Sequence, residues 1–576
     1  MIKPPRLLDT GRLQMMLLLV LIGILQAAAT VSSSYLTKTI FDRIVSTEVV
    51  TATEELVVFG GGLALMAVLI GYLCMAERVV AEKIGQSYAE TVRLALYDRL
   101  TTLPKRALQN RSNGGVMLRF IGDLTALRHW VSLGMARLIV IGLTTVGSLI
   151  ALAFLNATLA ATVGFVLVVG ACISIGRARK MRSASRESRR SMSRLAANIN
   201  EKIYAISVLQ VFGQLLKERE RMLRQSRQLR ETMVAKAGES GKIRGLAEGF
   251  AAFAYGSALV VGAIQVNLAK TSPGSVIAAL TVISLLVPKL RDLGRVQEYW
   301  HGFCISKQKM IEFLNIPSQI HELPDAKDIS PGLGRLEFKA VCSGILQNIS
   351  VTAEPGKVIA IVGPNGAGKS TLISLAARLF DPDSGMILID EQNISQYTLA
   401  SVRRLVGVAG QDYPLLRGTL EKNLIYRFPH ASDTDRQRVK QQCGLDEVLA
   451  TFPDGEQTRI SEAGANLSAG QRQRFALARA LLGNPPILLL DEADTNLDAQ
   501  ANTLIDQVLA NHTGTVLFTS HDIQRVAKAD VIWFIDNGYL LEVGSPEELM
   551  TGTGPTARFF ANSQETALNK EFISES

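Results

Sequence analysis

Apolar positions follow two rhythms along this chain. In the first half they gather into long runs: Leu13–Ser34, Leu56–Ala76, Val131–Ala153, Ala157–Gly176, Leu246–Leu268 and Val276–Val287. Most approach the ~20 residues that a helix needs to cross a hydrocarbon core. The last is the weakest and continues past Pro288 into mixed sequence. Two long polar stretches separate the second run from the third and the fourth from the fifth. Within the later one, apolar residues recur at helical spacing: Ile199, Ile203, Ile206, Leu209, Val211, Phe212, Leu215 and Leu216. The spacing predicts that the flanking spans run on as helices. Each long loop then forms an antiparallel pair with a short turn at its tip. From Asn315 to Gly334 the runs stop and breakers collect, namely Pro317, Pro324, Asp325, Pro331, Gly332 and Gly334. Beyond them, short β-rich runs alternate with helical segments: Lys357–Val362, Gly385–Ile389, Ile487–Leu490, Thr515–Phe518 and Val531–Phe534. That alternation predicts a parallel sheet with helices packed on it. The expected organisation is an α-helical membrane domain of six transmembrane helices over 1–314 and a linker over 315–333. An α/β domain over 334–562 and a C-terminal tail over 563–576 follow.

Composition supports the membrane reading. Hydrophobic types make up 48% of the 576 residues and charged types 20%, with mean hydropathy +0.21. This excludes a disordered chain and is too apolar for an ordinary soluble enzyme. The net charge of +9 is explained by where the cations fall. The first long loop carries Arg78, Lys83, Arg93, Arg99, Lys105, Arg106, Arg111, Arg119 and Arg128. The second is more basic still, with Arg177, Arg179, Lys180, Arg182, Arg186, Arg189, Arg190 and Arg194. The short connectors carry Glu48, Glu54 and Glu55, no charge at all, or Lys270 alone. The positive-inside rule then places both termini and both long loops in the cytoplasm. No aromatic platform accompanies these arginines, so no nucleic-acid partner is expected.

The first run also has the outline of a secretory signal, with Lys3, Arg6 and Arg12 ahead of it and Gln26-Ala27-Ala28-Ala29 behind. Removing it would leave an odd number of spans and put the C-terminal half outside, so it is counted as a span. The five cysteines form no CxxC pair and read as reduced thiols.

The chemistry lies in the C-terminal half. Val358–Val362 reads as a buried strand and runs directly into Gly363-Pro364-Asn365-Gly366-Ala367-Gly368-Lys369-Ser370-Thr371. This is G-x-x-x-x-G-K-[ST] in its strand-to-helix setting. The glycines let backbone N–H groups wrap phosphates, and a helix beginning near Lys369 points its positive end at them. Lys369 suits the β- and γ-phosphates of ATP, and the Ser370 hydroxyl suits Mg²⁺. A second apolar run, Ile487–Leu490, delivers Asp491 and Glu492. Asp491 fits the Mg²⁺ shell, and Glu492 is placed to polarise an attacking water.

Four further motifs carry a family resemblance. Leu467-Ser468-Ala469-Gly470-Gln471 resembles the signature of ABC transporter ATPases, and Gln411 in Val408-Ala409-Gly410-Gln411 resembles the Q-loop glutamine. Asn496-Leu497-Asp498 is similar to the D-loop, and His521 in Thr519-Ser520-His521-Asp522 to the switch histidine. With six spans ahead, nearly the whole chain resembles an exporter-type half-transporter. The resemblance implies an ATP-hydrolysing translocase moving a substrate across or out of a bacterial-type inner membrane. It also implies a dimer in which each P-loop faces the partner's Ser468, Gly470 and Gln471, with a homodimer favoured over a heterodimer. Gln411 would serve both the metal and catalysis, Asp498 the nucleotide, and His521 catalysis. Closing the dimer is expected to push on the loop tips near Gly114–Asp123 and Ala205–Phe212. Membrane lipids are expected neighbours, and the cargo is unassigned. The alternatives are a lipid flippase or importer on the same fold, or a non-transport ATPase or sensor tethered to the membrane.

Two departures stand out. Ala469 occupies the first glycine position of the signature, where a methyl could crowd the backbone near the γ-phosphate. The family's usual adenine-stacking aromatic has no counterpart in Ala340–Ile345, so another apolar group is expected to cover the base. Arg291 and Arg295, four apart on one helix face, are candidates for the inward-facing mouth.

Overall fold

The computed structural model describes residues 4–45, 53–104, 107, 113–493 and 499–561. The chain divides into two compact units, Met1–Thr101 with Lys105–Pro317, and Thr102–Pro104 with Ser318–Ser576.

The first unit is helical. Its elements are α1 (Thr10–Val45), α2 (Thr53–Thr101), α3 (113–155), α4 (Ala157–Gly176), α5 (Ala178–Tyr204), α6 (Ile206–Val211), α7 (Leu215–Asn267) and α8 (Pro273–Leu314). Two wide π turns, Arg119–Asp123 and Trp130–Met135, interrupt α3. Four described helices contain a segment long and apolar enough to cross a membrane: Thr10–Ile44, Glu54–Thr101, Gly115–Leu155 and Leu215–Asn267. The fourth and sixth expected spans appear as shorter apolar stretches, Ala157–Gly170 and Pro273–Leu286. The second long loop is helical, with α6 as the tip between α5 and α7; the first is helical up to Thr101 and from Asn113 on, and most of its tip lies outside the described residues.

In lipid there is no hydrophobic drive between helices, so close packing of small residues holds them together. The exposed positions are accordingly large and apolar, among them Leu17, Val57, Val58, Val68, Phe154 and Phe165. The buried ones include Ala27, Gln26, Thr30, Ser34, Thr144 and Ser148. Thr30 and Thr144 donate to the carbonyls of Gln26 and Val140 one turn back, at 2.8 and 2.9 Å, and so carry no unmet donor into the core.

Two polar clamps tie α1 to its neighbours. Near its start, Arg12 donates to Thr91 Oγ1 at 3.0 Å on α2 and pairs with Asp9 at 2.7 Å. Near its end, Asp42 accepts from the Gly274 N–H and the Ser272 hydroxyl, both at 2.8 Å. Ser272 caps α8 and Pro273 opens it, so Asp42 meets two groups at a positive helix end.

The second unit holds the sheets. Strands β3 (Val358–Val362), β6 (Val406–Gly410), β9 (Ile487–Asp491), β10 (Thr515–Thr519), β11 (Val531–Asp536) and β12 (Tyr539–Gly544) form one sheet in the order β12-β11-β3-β10-β9-β6. All neighbours in it are parallel except the edge pair β11–β12. The parallel strands are buried on both faces, which explains the continuous apolar runs in the sequence. One assignment needs correction. The run Gly385–Ile389 belongs to β4 (Ser384–Ile389), in a separate antiparallel sheet of order β2-β1-β4-β5. There β1 (Leu336–Ser343) lies between β2 (Leu346–Ala353) and β4, and β5 (Gln392–Asn393) closes the edge. Apolar runs of this length do not encode the direction of a strand's partner. A third, two-stranded pair joins β7 (Gly418–Thr419) to β8 (Arg459–Ile460).

The breaker-rich segment also acquires order. It forms no helix or extended ladder, yet Ile329 is buried in the core beside Leu336 and Ile389. The Gly334 N–H donates to Asp390 at 3.0 Å, and the Thr398 N–H to the Lys327 carbonyl at 2.9 Å. Proline and glycine exclude regular structure there, but they permit packing.

The tight α1–α8 junction yields a prediction. A Cβ on Gly274 would overlap Asp42 and the Lys38 carbonyl, whereas one on Gly249 meets open space. Gly274→Val is expected to cost ~1–3 kcal/mol through overpacking, read as an earlier thermal transition in detergent. Gly249→Ala should leave that transition in place.

Candidate nucleotide site

Four adjacent strands, β3, β10, β9 and β6, end at the same edge of the parallel sheet, and the expected site residues follow three of them and close the fourth. Ligands of open α/β sheets gather at this carboxyl edge. After β3, the loop from Gly363 to Gly368 takes positive φ at Gly363 (149°), Gly366 (84°) and Gly368 (113°). Gly368 forms the N-cap of the helix Lys369–Ala376. A Cβ on Gly363 would overlap the Ile535 carbonyl, and one on Gly368 would lie 2.5 Å from Leu346 Cδ2. The glycines therefore meet steric as well as conformational demands.

Lys369 is buried and folded onto its own loop. Its Nζ donates to the carbonyls of Gly363 at 2.7 Å and Pro364 at 3.0 Å. Burial pulls its pKa below the ordinary lysine value, against the opposing pull of Glu492 and Asp491. The neighbouring strand supplies the anion. Asp491 Oδ1 accepts from Ser370 Oγ at 3.0 Å and from Thr519 Oγ1 at 3.0 Å. Burial pushes the Asp491 carboxyl up, and Glu492 and Asp412 add to that, while the bonds from Thr519 and Ser370 pull it down.

Thr519 is the residue that sequence reading missed. Besides donating to Asp491, its hydroxyl accepts from the Glu492 N–H at 2.8 Å, so one side chain fixes two acids. Its only sequence signal is its place at the end of β10, two residues before His521. Glu492 itself adopts φ 48°, a left-handed conformation uncommon for a non-glycine residue. Tyr413 was also unforeseen. Burial, with help from Asp491, pushes its hydroxyl up to about 12.

Gln411 follows β6 directly, where Gly410 pairs in register with Asp491. Gln411 and His521 are both exposed at this edge. Pro364, Asn365, Ala367 and Thr371 complete the loop and first helical turn.

Ser468, Gly470 and Gln471 lie at the start of a 13-residue helix, Ala469–Leu481. The Ser468 hydroxyl accepts from the Gln471 N–H at 3.1 Å, and Gln471 Oε1 accepts from the Ser468 N–H at 2.9 Å, a reciprocal capping box. Ala469 is exposed in the first turn. Among the described residues, no hydrogen bond joins this helix start to the loop around Lys369. Asp498 falls outside the described residues, and the side chain of Arg291 is likewise not described.

The hairpin between β1 and β2 bears on the missing aromatic. Phe338 is buried edge-on against Trp533, 6.2 Å between ring centroids, and is unavailable to a ligand. Ile345 is 39% exposed, and its Cδ1 would lie 3.4 Å from a Cβ on Gly368.

The donors fit a phosphate-bound Mg²⁺: a buried carboxylate and a hydroxyl, already oriented together, beside a lysine and a glycine-rich loop. Among the described residues no cluster of three His, Cys, Asp or Glu side chains is present, so a metal here would need the phosphates as co-ligands.

Both halves of the chain resemble known proteins. Residues 16–289 match the ABC transporter transmembrane region family, and residues 346–495 match the ABC transporter family. An uncharacterized ABC transporter ATP-binding protein of Bacillus subtilis is 28% identical over 82% of this chain and 84% of its own. An ATP-dependent lipid A-core flippase of Desulfotalea psychrophila is 27% identical, covering 92% of this chain and 93% of the relative. A solved bacterial Atm1-family ABC exporter with ATP bound has the same fold, with TM-score 0.85, 23% identity, and 96% and 99% of the two chains aligned.

The raised Asp491 pKa has a sign that can be tested. A carboxyl whose folded pKa lies above its unfolded value adds stability at low pH and loses it as pH rises through the folded pKa. The buried Asp491 is thus a cost to the nucleotide-free protein that grows as pH rises. Asp491→Asn keeps an acceptor for Ser370 and Thr519, so it should raise the nucleotide-free Tm at pH 7, and the gain should shrink as pH falls. The same variant should lose Mg²⁺-dependent ATP hydrolysis, measured by phosphate release.

Proposed function

Since the chain belongs to the ABC transporter family, with its transmembrane and ATPase regions in one polypeptide, we propose that two copies form an exporter whose two ATP sites are each shared between chains. The observation that carries this reading is the separation within one chain. The loop around Lys369 and the acids after β9 form one edge, while among the described residues no hydrogen bond joins the capped helix start at Ser468 to it. A second copy supplies the missing side, so that Ser468, Gly470 and the dipole of helix Ala469–Leu481 face the γ-phosphate.

In this arrangement the amides of Gly363–Thr371 and Lys369 hold the β- and γ-phosphates. Lys369 exchanges two loop carbonyls for phosphate oxygens, which restores a full charge partner to a buried ammonium. Ser370, Asp491 and Gln411 would hold Mg²⁺, which would neutralise phosphate charge when bound. Glu492, braced through its N–H by Thr519, orients the attacking water, and His521 contacts the γ-phosphate from the end of β10. Asp498 completes the nucleotide contacts. The exposed Ala469 methyl is compatible with a phosphate approaching the helix axis.

The basic loops support a cytoplasmic ATPase domain and an inner-membrane location. Nucleotide-driven closure and hydrolysis would switch the helical unit between inward- and outward-open states through the loop tips. The apolar tip residues Val211 and Phe212, 79% and 69% exposed, support a contact role there. A homodimer is favoured because each chain carries Glu492 and His521.

Glu492→Gln tests the assignment. Nucleotide binding should persist while turnover falls ~10²-fold or more, with ATP trapped in a closed dimer. Hydrolysis at the parental rate would remove Glu492 from the role given it. A second test concerns the base. With Ile345 beside Gly368 and no aromatic residue in Lys339–Ser350, ATP and GTP should compete on nearly equal terms. Ile345→Tyr should tighten binding of both nucleotides, and an unchanged affinity would place the base elsewhere.

A further inference from the structure

Outside the nucleotide site, the strongest concentration of rings and cations lies on α3, α5 and α8. Trp130, Trp300 and Phe303 form one cluster, with ring centroids 4.7 Å apart for the tryptophans and 5.6 Å for Trp300–Phe303. Trp130 belongs to the π turn Trp130–Met135, a wide turn of the kind often found at functional positions. Its ring rests on Gly134, where a Cβ would lie 2.9 Å from Cζ3. Trp300 stays 42% exposed even though it touches both other rings.

Cations surround the cluster. Lys307 Nζ lies 5.7 Å from the Phe303 ring centroid. Arg182 Nε donates to His301 Nε2 at 2.7 Å, which requires that nitrogen to be unprotonated. Burial, then Arg182 and Arg186, hold the His301 pKa below its ordinary value. Arg189 Nη2 would lie 2.9 Å from a Cβ on Gly302, so the missing side chain lets this guanidinium reach α8. Nearby acids are already engaged: Glu298 with Lys236, Glu187 with Arg190, and Asp123 with Arg119 and Ser306. Among the described residues, no carboxylate lies within ion-pair distance of Arg182, Arg186 or Arg189.

The depth of these groups identifies the occupant. Helix α3 ends at Leu155, α4 begins at Ala157 and α8 begins at Pro273, all at the outer connectors. Counted from these ends, Trp130 and Arg182 lie ~25 residues in, Trp300 ~27, and Arg186 and Gly302, beside which the Arg189 guanidinium sits, ~29, or about 37–44 Å at 1.5 Å per residue. The hydrocarbon core takes up ~30 Å and the headgroup layers bring the total to ~40–45 Å. These groups therefore share the level of the inner headgroup layer, where a half-exposed tryptophan and unneutralised arginines complement a glycerol backbone and its phosphate.

We propose that this cluster is a binding site for the headgroup of an anionic phospholipid of the cytoplasmic leaflet. Arg182, Arg186 and Arg189 receive the phosphate, and Trp130 and Trp300 pack beside the glycerol. The site rests on the membrane orientation given above and is independent of the ATPase assignments.

The chain's three tryptophans provide the test. Trp533 is fully buried in the ATPase unit, and Trp533→Phe leaves Trp130 and Trp300 as reporters. The full-length protein is placed in nanodiscs whose acyl chains are brominated near the carbonyl, as phosphatidylglycerol or as phosphatidylcholine, at equal mole fraction. Phosphatidylglycerol should quench roughly twofold more or better. That preference should shrink as salt rises about tenfold, because charge pairs at the headgroup layer are screened. Arg182→Gln with Arg189→Gln should abolish the preference while basal ATPase persists. Equal quenching by the two lipids, a preference insensitive to salt, or one that survives the double replacement would overturn the proposal. Inorganic phosphate added to phosphatidylcholine discs should change nothing. If it shifts the emission as phosphatidylglycerol does, the site takes a soluble anion and the lipid assignment fails.

Discussion

The ATPase unit is organised around one buried carboxylate. Asp491 sits at the end of a strand buried on both faces, where ionisation is costly, and it is held there by hydroxyls rather than by a cation. A group in that state is poised for a partner: it destabilises the empty site and rewards whatever brings positive charge. The same hydroxyls that position it connect neighbouring elements. Ser370 ties it to the phosphate loop, and Thr519 ties it to the strand leading to His521 and to the backbone of Glu492. The parallel register of β3, β10, β9 and β6 is what lets these groups meet.

The helical unit faces the opposite constraint. Its backbone polar groups must be satisfied within each helix, and its side chains gain nothing by hiding apolar surface from lipid. Specificity therefore falls to small residues and a few polar clamps. Gly147 against Ala27, Gly23 against Leu143, and Asp42 at the start of α8 set how closely α1 can approach its neighbours. Clamps made of two or three hydrogen bonds can be broken and remade, which suits a bundle that must change shape.

Much of this was legible in the sequence, for identifiable reasons. Long apolar runs and helical spacing such as Ile199–Leu216 announce helices because periodicity survives without tertiary context. The phosphate loop was legible because glycine at positive φ, lysine and hydroxyl are needed at fixed offsets, and Gly363, Gly366 and Gly368 show those φ values. What escaped depended on partners distant in sequence. The antiparallel pairing of β4 with β1, the seating of Ile329 in the ATPase core, and the bridging hydroxyl of Thr519 are set by neighbours that no local pattern names. The two π turns of α3 were equally hidden, since their residues are ordinary helix formers.

The central claim is that each ATP site is completed by a second chain. Co-expression of two variants tests it most directly: Lys369→Ala in one chain and Ser468→Arg in the other, with different tags so that mixed dimers are purified. Either variant alone spoils both sites of its own homodimer. If sites are shared, the mixed dimer pairs one intact phosphate loop with one intact signature and regains roughly half the parental ATPase per dimer. If each site lay within a single chain, the mixed dimer would contain no intact site, and activity no higher than either variant alone would contradict the account.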